Sequence, residues 1–200
     1  MTTRATRGRP RKFDADQVLQ DAVDLFWEKG YRATTTRDLE TALGITQSSL
    51  YNAFGSKREL LLRAIDRYER QIEEELFRHL ADGGGYPALR AFFTELAAWV
   101  VRNEHRGCMV VNLMAGENDD PKIVERVQAY RNKIRSGLTA ALAQVEGLDP
   151  ALAASRTELL LAAVLGLHIT ARSALGHPEV ECMTFAVCDQ IDAWDHASAE

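Results

Sequence analysis

Apolar residues recur at three- and four-residue spacing along almost all of the 200-residue chain, and no stretch alternates residue by residue. That pattern predicts helices and no sheet. Val18, Ala22, Leu25 and Phe26 mark a first helix, which begins at Asp14 with Gln17 as its capping-box partner and ends at Gly30. Leu39, Ala42 and Leu43 mark a second, capped by Thr35 with Asp38 and stopped by Gly44, since glycine accepts the left-handed backbone of a helix end. Thr46 caps a third helix with Leu50 and Phe54 inward and Ile45 just before it. Ser56 and Glu59 form a capping box that opens a fourth, from Lys57 to about Leu80, with the stripe Leu60, Leu61, Ala64, Ile65, Tyr68, Ile72 and Leu76. Roughly 24 residues of helix span ~36 Å, enough to join two domains mechanically.

Gly83-Gly84-Gly85 is the clearest break in the chain. Beyond it, Pro87 suits a first helical turn, and Leu89, Phe92, Phe93, Leu96, Val100 and Val101 form a broad apolar face with Trp99 beside it. Gly107 opens a short apolar segment, 108–115, in which Asn112 is the polar exception. After the turn at Asn118-Asp119-Asp120-Pro121, the positions Ile123, Val127, Tyr130, Ile134, Leu138 and Leu142 predict a long helix. The next, from Ala151 to Gly176, is apolar on every face over 159–169 and must be covered on every face, by the bundle or by another subunit. A last helix starts at Pro178 and carries Val180, Met183, Val187, Ile191 and Trp194. The expected fold is all-α with about nine helices. A flexible basic arm (1–12) precedes a three-helix unit (13–60), and a helical bundle (61–200) shares the fourth helix with it.

Composition changes this picture in one respect. The chain carries a net charge of -5, which argues against nucleic acid until its distribution is considered. Residues 1–60 hold 10 Lys and Arg against 8 Asp and Glu, a balance of +2, so residues 61–200 hold 14 against 21, a balance of -7. The first twelve residues carry Arg4, Arg7, Arg9, Arg11 and Lys12 and no acid. Only the N-terminal end is therefore suited to approach a polyanion. No unbroken apolar run approaches the ~18 residues of a membrane span, and the N-terminus lacks the apolar core of a signal peptide. Cys108, Cys182 and Cys188 are an odd count without a C-x-x-C, so a reducing cytoplasm is expected.

The third helix presents Gln47, Ser48, Ser49 and Asn52 outward, with Tyr51, and has no acidic residue of its own. Amides and hydroxyls at the N-terminal end of a helix suit base edges in a major groove. Thr35, Thr36, Arg37 and Lys57 stand at helix N-termini, where free N–H groups and the helix dipole attract phosphate; Thr35 is equally explained as a cap alone. The arm, with Arg9 and Arg11, either enters a minor groove or adds nonspecific attraction. In the bundle, Phe92, Trp99, Cys108, Met109, Asn112, Tyr130, Ile134 and His168 are candidate walls of a small-molecule pocket, against a plain core reading of the same residues. Leu160, Val164, Leu167, Ala171, Val187 and Ile191 are candidates for a homodimer interface, where Ala162, Ala163 and Gly166 permit close helix approach. Cys108 beside His105 and Arg106 reads either as an activated thiol or as a quiet half-buried one. His105 and Cys108 are too few for a metal site. No nucleophile elbow, phosphate-binding glycine loop or zinc-protease motif occurs, so neither catalysis nor a cofactor is expected.

The run T-T-T-R-D-L-E-T-A-L-G-I-T-Q-S-S-L-Y-N-A-F-G-S-K-R-E-L-L, preceded by A-V-D-L-F-W-E-K-G-Y-R-A, resembles the DNA-binding domain of the TetR (tetracycline repressor) family of bacterial transcription regulators. The likeness is specific over roughly residues 13–65 and architectural beyond Gly85. It implies a helix-turn-helix unit joined to an all-α ligand-binding and dimerisation domain. It also implies a partner set of operator DNA, a small-molecule effector and a second copy of the chain, with no membrane, and a phosphate contact for Tyr51. R-G-C-M-V-V-N, from Arg106, is similar to a stretch found in one subset of the family. The chain departs from many members at Ala53, where they have histidine, which shifts more of the phosphate role to Tyr51 and Lys57. Two rivals remain: a constitutive DNA-binding protein, which a closed core around Trp99, Asn112, Tyr130 and His168 would favour, and a helical-bundle enzyme using His168 or Cys108.

Overall fold

The computed structural model describes residues 14–81, 84–104, 106–116, 119–173 and 177–198. The basic arm with Arg9 and Arg11, and also Gly83, His105 and Asn118, lie outside the described residues. Among the described residues every regular element is a helix. Three short ones come first: α1 (Ala15–Lys29), α2 (Thr36–Leu43) and α3 (Gln47–Phe54). α4 (Lys57–Ile72) continues through a π-helical segment, Glu73–Phe77, into α5 (Arg78–Ala81), so the expected long rod exists with a π-helical insert. The bundle is completed by α6 (Gly85–Arg102), α7 (Met109–Ala115), α8 (Pro121–Leu142), α9 (Pro150–Arg172) and α10 (His177–Ser198).

The caps explain where the short helices start. Asp14 accepts from the N–H groups of Asp16 and Gln17, while the Gln17 amide donates to Asp21 at 2.8 Å instead of closing a box. Thr35 and Asp38 form a complete capping box, and Gly44 ends α2 in the left-handed region. Ser56 accepts from the Glu59 N–H, but the Glu59 carboxylate turns to Arg58 and Lys122, so only half of the expected box forms.

α1, α2, α3 and the start of α4 close a small core of Val18, Ala22, Val23, Phe26, Leu39, Leu43, Leu50, Phe54, Leu60 and Leu61. Val23 and Trp27 take inward places on α1, while Leu25 is only half-buried and Ala42 is exposed. In the bundle, Val101 is exposed, because Trp99 occupies the inward position of that turn of α6.

α9 carries a window apolar enough to cross a membrane by length and composition, with mean hydropathy 1.4, which a count of unbroken apolar runs does not detect. Here it packs among α6, α7, α8 and α10. Leu160, Val164, Leu167 and Ala171 form its inward stripe and are buried within the single chain, as is Ile191 of α10. Leu160 nevertheless lines a surface groove with Leu159, Ala163, Ala186, Val187 and Trp194. Of the candidate interface residues, Val187 alone is half-buried. The outward apolar residues are Leu152, Leu159 and Ile169 on α9 and Phe185, 73% exposed, on α10.

Candidate nucleic-acid interface and adjoining cleft

α3 is an eight-residue helix held from beneath by Leu50 and Phe54. Its cap organises its N-terminal end: the Thr46 hydroxyl accepts from the Ser49 N–H and lies 3.1 Å from Ser48 Oγ and 3.0 Å from Ser49 Oγ. Gln47, Ser48 and Asn52 are exposed, and Ser49 and Tyr51 are half-buried. Thr36 at the start of α2 brings its hydroxyl within 3.4 Å of the Tyr51 hydroxyl. The structure thus gathers Thr36, Gln47, Ser48, Ser49, Tyr51 and Asn52 at one surface. Arg37 is exposed one position further round α2 and shares a shallow cleft with Leu25, Glu28 and Thr41 on the α1 side.

One residue of this surface was not foreseen. Glu40 of α2 accepts from the Gln47 backbone N–H at 2.6 Å. The N-terminus of α3 therefore already holds a carboxylate, supplied across the helix-turn-helix. The signal available was position: Glu40 lies four residues after Thr36, on the α2 face turned toward α3.

Lys57 opens α4 with its ammonium 4.5 Å over the Tyr31 ring, and burial lowers its pKa. Arg58 beside it donates to Asp120, the N-cap of α8, at 3.2 Å. Asp38 is gripped by Lys29 at 2.6 Å and by Thr35, and these bonds hold its carboxyl far below the usual range. Ion pairs therefore tie the three-helix unit internally and to the bundle.

The residues named as pocket walls divide. Trp99 stacks on Trp27 at 5.4 Å, and the His168 ring meets Trp99 edge-on at 6.0 Å. Cys108 donates to the Tyr130 hydroxyl at 3.5 Å, and the Tyr68 hydroxyl accepts from the Met109 N–H at 3.3 Å. Phe92, Trp99, Cys108, Tyr130, Ile134 and His168 are buried inside the bundle, and none of them lines the open cleft between α1, α7 and α9. Burial pushes the Cys108 thiol up, which opposes an activated thiolate.

Met109 and Asn112 do line an open space. A cleft of about 530 Å³ runs between the end of α1 with its following turn, α7, and the end of α9. Phe26, Met109, Leu113 and Ile169 give it apolar walls, and Lys29, Arg32 and Arg172 line it with cations. It adjoins the junction between unit and bundle. There the Trp27 indole donates to the carbonyls of Arg106 and Gly107, at 3.2 and 3.1 Å, and the Arg106 guanidinium lies 4.7 Å from the Trp27 ring. The Asn112 amide donates to the Arg106 carbonyl at 2.9 Å. Gly107 has φ +67, and a Cβ there would meet the His168 carbonyl oxygen at 2.5 Å, so α9 and this loop touch backbone to backbone.

A family profile described as "Bacterial regulatory proteins, tetR family" matches residues 18–64. Among curated relatives, the HTH-type transcriptional repressor ComR of Escherichia coli (strain K12) is 36% identical over 112 residues, 54% of this chain and 52% of that protein. The chain thus spans about half the length of the curated relatives it matches first. Two solved structures extend the likeness over most of the chain. One is a cysteine mutant of the TetR family regulator CifR complexed with 26 bp double-strand operator DNA, with TM-score 0.78, 25% identity and coverage of 90% of this chain and 98% of that one. The other is a putative TetR transcriptional regulator from Rhodococcus sp. RHA1, with TM-score 0.54, 30% identity and coverage of 89% and 98%.

Proposed function

Because the chain belongs to the TetR family of bacterial regulatory proteins, we propose that it is a homodimeric repressor of transcription, released from a near-palindromic operator when a small molecule binds. The observation that carries this reading is the surface of α3: Gln47, Ser48 and Asn52 are exposed along a capped helix, and the Tyr51 hydroxyl meets that of Thr36. Gln47 offers a bidentate amide to adenine, and the hydroxyls reach base edges or phosphate. Lys57 and Arg37 add cations at helix starts, and Arg9 and Arg11 belong to the same end of the sequence. Two such surfaces in a dimer would read half-sites about 34 Å apart. The exposed Leu159 and Phe185, beside a groove formed by Ala163, Ala186, Val187 and Trp194, are the surface that supports dimerisation.

A constitutive operator-binding protein is the second reading, and the burial of Trp99, Tyr130 and His168 supports it. The open cleft beside Trp27 favours the ligand-responsive one. The first test is binding to DNA from the promoter region upstream of its own gene, followed by footprinting. Wild type is expected to protect a two-fold site, while a Gln47→Ala, Tyr51→Ala double variant with an unchanged circular dichroism spectrum loses at least about tenfold in affinity, in keeping with ~1–3 kcal/mol per good base contact. Equal protection by both proteins would refute the assignment of α3.

A further inference from the structure

We propose that the cleft between the end of α1, α7 and the end of α9 is the effector site, and that it takes a small amphipathic organic anion whose charged group pairs with Arg172. The proposal rests on the ligand-responsive reading above. Its volume, about 530 Å³, falls in the ~300–1,000 Å³ range of small-molecule sites. Phe26, Met109, Leu113 and Ile169 supply an apolar wall that a bare inorganic ion would not exploit. No acidic side chain lines the cleft among the described residues, whereas three cations do.

The cations differ in what already occupies them. Lys29 is held by Asp38 at 2.6 Å, and Arg32 lies 3.7 Å from Asp119. Arg172 is engaged by neutral acceptors, donating to the carbonyl of Trp27 at 2.7 Å and to that of Glu28 at 3.0 Å. A carboxylate makes a stronger, charge-assisted bond to guanidinium than a peptide carbonyl does. An anion in the cleft therefore competes directly with α1 for Arg172.

That competition has a mechanical consequence. The carbonyls of Trp27 and Glu28 belong to the last turn of α1, and Gly30, Tyr31, Arg32 and Ala33, which lead into α2, form a wall of the same cleft. Arg172 is thus a strap from the bundle to the helix that carries the helix-turn-helix. Drawing it toward a ligand frees the end of α1 and changes how α2 and α3 are presented. The ligand shifts the equilibrium only as far as it binds the unstrapped arrangement better. The same linkage makes operator DNA weaken ligand binding equally.

The experiment uses the full chain and octanoate as probe, with 1-octanol as its uncharged counterpart. Intrinsic tryptophan fluorescence is the first readout, without DNA, because Trp27 carries one of the two carbonyls that Arg172 holds. Octanoate is expected to give a saturable change, and octanol to bind at least about tenfold more weakly. Arg172→Gln, which keeps hydrogen-bond donors but loses the charge, is expected to weaken octanoate about tenfold or more. Ala115→Phe, which fills the cleft from an exposed position and leaves the strap intact, should do the same. No saturable octanoate binding, equal binding of octanol, or unchanged binding in both variants would overturn the proposal. Operator affinity is measured separately. Octanoate binding that requires Arg172 in a protein that fails to bind operator would leave the anion site standing and remove the regulator reading.

Discussion

At the residue scale, His168 stands where α9 meets the Gly107 loop, and its burial makes stability depend on pH. His168 is enclosed, its Nδ1 has no hydrogen-bond partner, and burial lowers its pKa from 6.5 to about 4. The folded chain therefore keeps this imidazole neutral where the unfolded chain would protonate it. Between pH 6.5 and 4 the unfolded state binds more protons, so this contribution to stability is fully present above pH 6.5 and is lost as pH falls toward 4. His168→Leu is expected to reduce the drop in urea midpoint between pH 7 and pH 5; an unchanged drop would assign it to other groups. Gly107→Ala tests the same junction from the other side. With φ +67 and the His168 carbonyl 2.5 Å from any Cβ, it should cost more than ~2 kcal/mol of unfolding free energy, a size reached only by named steric or burial defects. A loss within ~0.5 kcal/mol would show that the loop relaxes freely.

At the element scale, the three-helix unit is specified by its caps and the bundle by its stripes. Thr35→Ala removes the side-chain acceptor for the Asp38 N–H and leaves the Asp38 carboxylate with one bond fewer. A loss of ~1 kcal/mol is expected, read as a lower thermal midpoint. Because α2 supports α3 through Thr36–Tyr51 and Glu40–Gln47 contacts, operator affinity should fall with it, although Thr35 itself would touch no base. A variant with normal stability and lost affinity would instead make Thr35 a direct contact. Element positions were legible because a cap, a stripe and a stop coincide within a few residues. The π-helical segment at Glu73–Phe77 was not, since three consecutive glutamates followed by Leu-Phe satisfy an α-helical pattern equally well.

At the scale of the whole molecule, the exposed apolar residues of α9 and α10 form a further surface besides α3 and the cleft between α1, α7 and α9. Phe185 on α10 and Leu159 on α9 are both exposed, and an apolar surface of this kind fits a self-complementary contact. Phe185→Glu is expected to turn a dimer into a monomer in sedimentation experiments and to weaken operator binding steeply, because one half-site must then bind alone. A wild-type protein that sediments as a monomer would remove the dimer from the proposed function. The apolar run in α9 announced a covered helix but not its orientation. Leu160, Leu161, Val164, Leu167 and Ala171 look no different in sequence from Leu152, Leu159 and Ile169, and only the packing of neighbouring helices decides which of them turn inward.

By itself, the sequence determined what depends on neighbours along the chain: the helices, their caps, the helix-turn-helix and the polar face of α3. Its 3.6-residue periodicity and its capping chemistry act over one or two turns. Only the tertiary structure decided what depends on residues far apart in the chain. Trp99 came to lie between the Trp27 ring and the His168 ring, and Gly107 came to lie against the His168 backbone. An open cleft arose where the end of α1 meets α7 and α9, and Arg172 was drawn to the carbonyls of Trp27 and Glu28. Periodicity carries no record of such distant meetings, because a side chain's burial fixes its hydrophobicity but not the identity of what buries it.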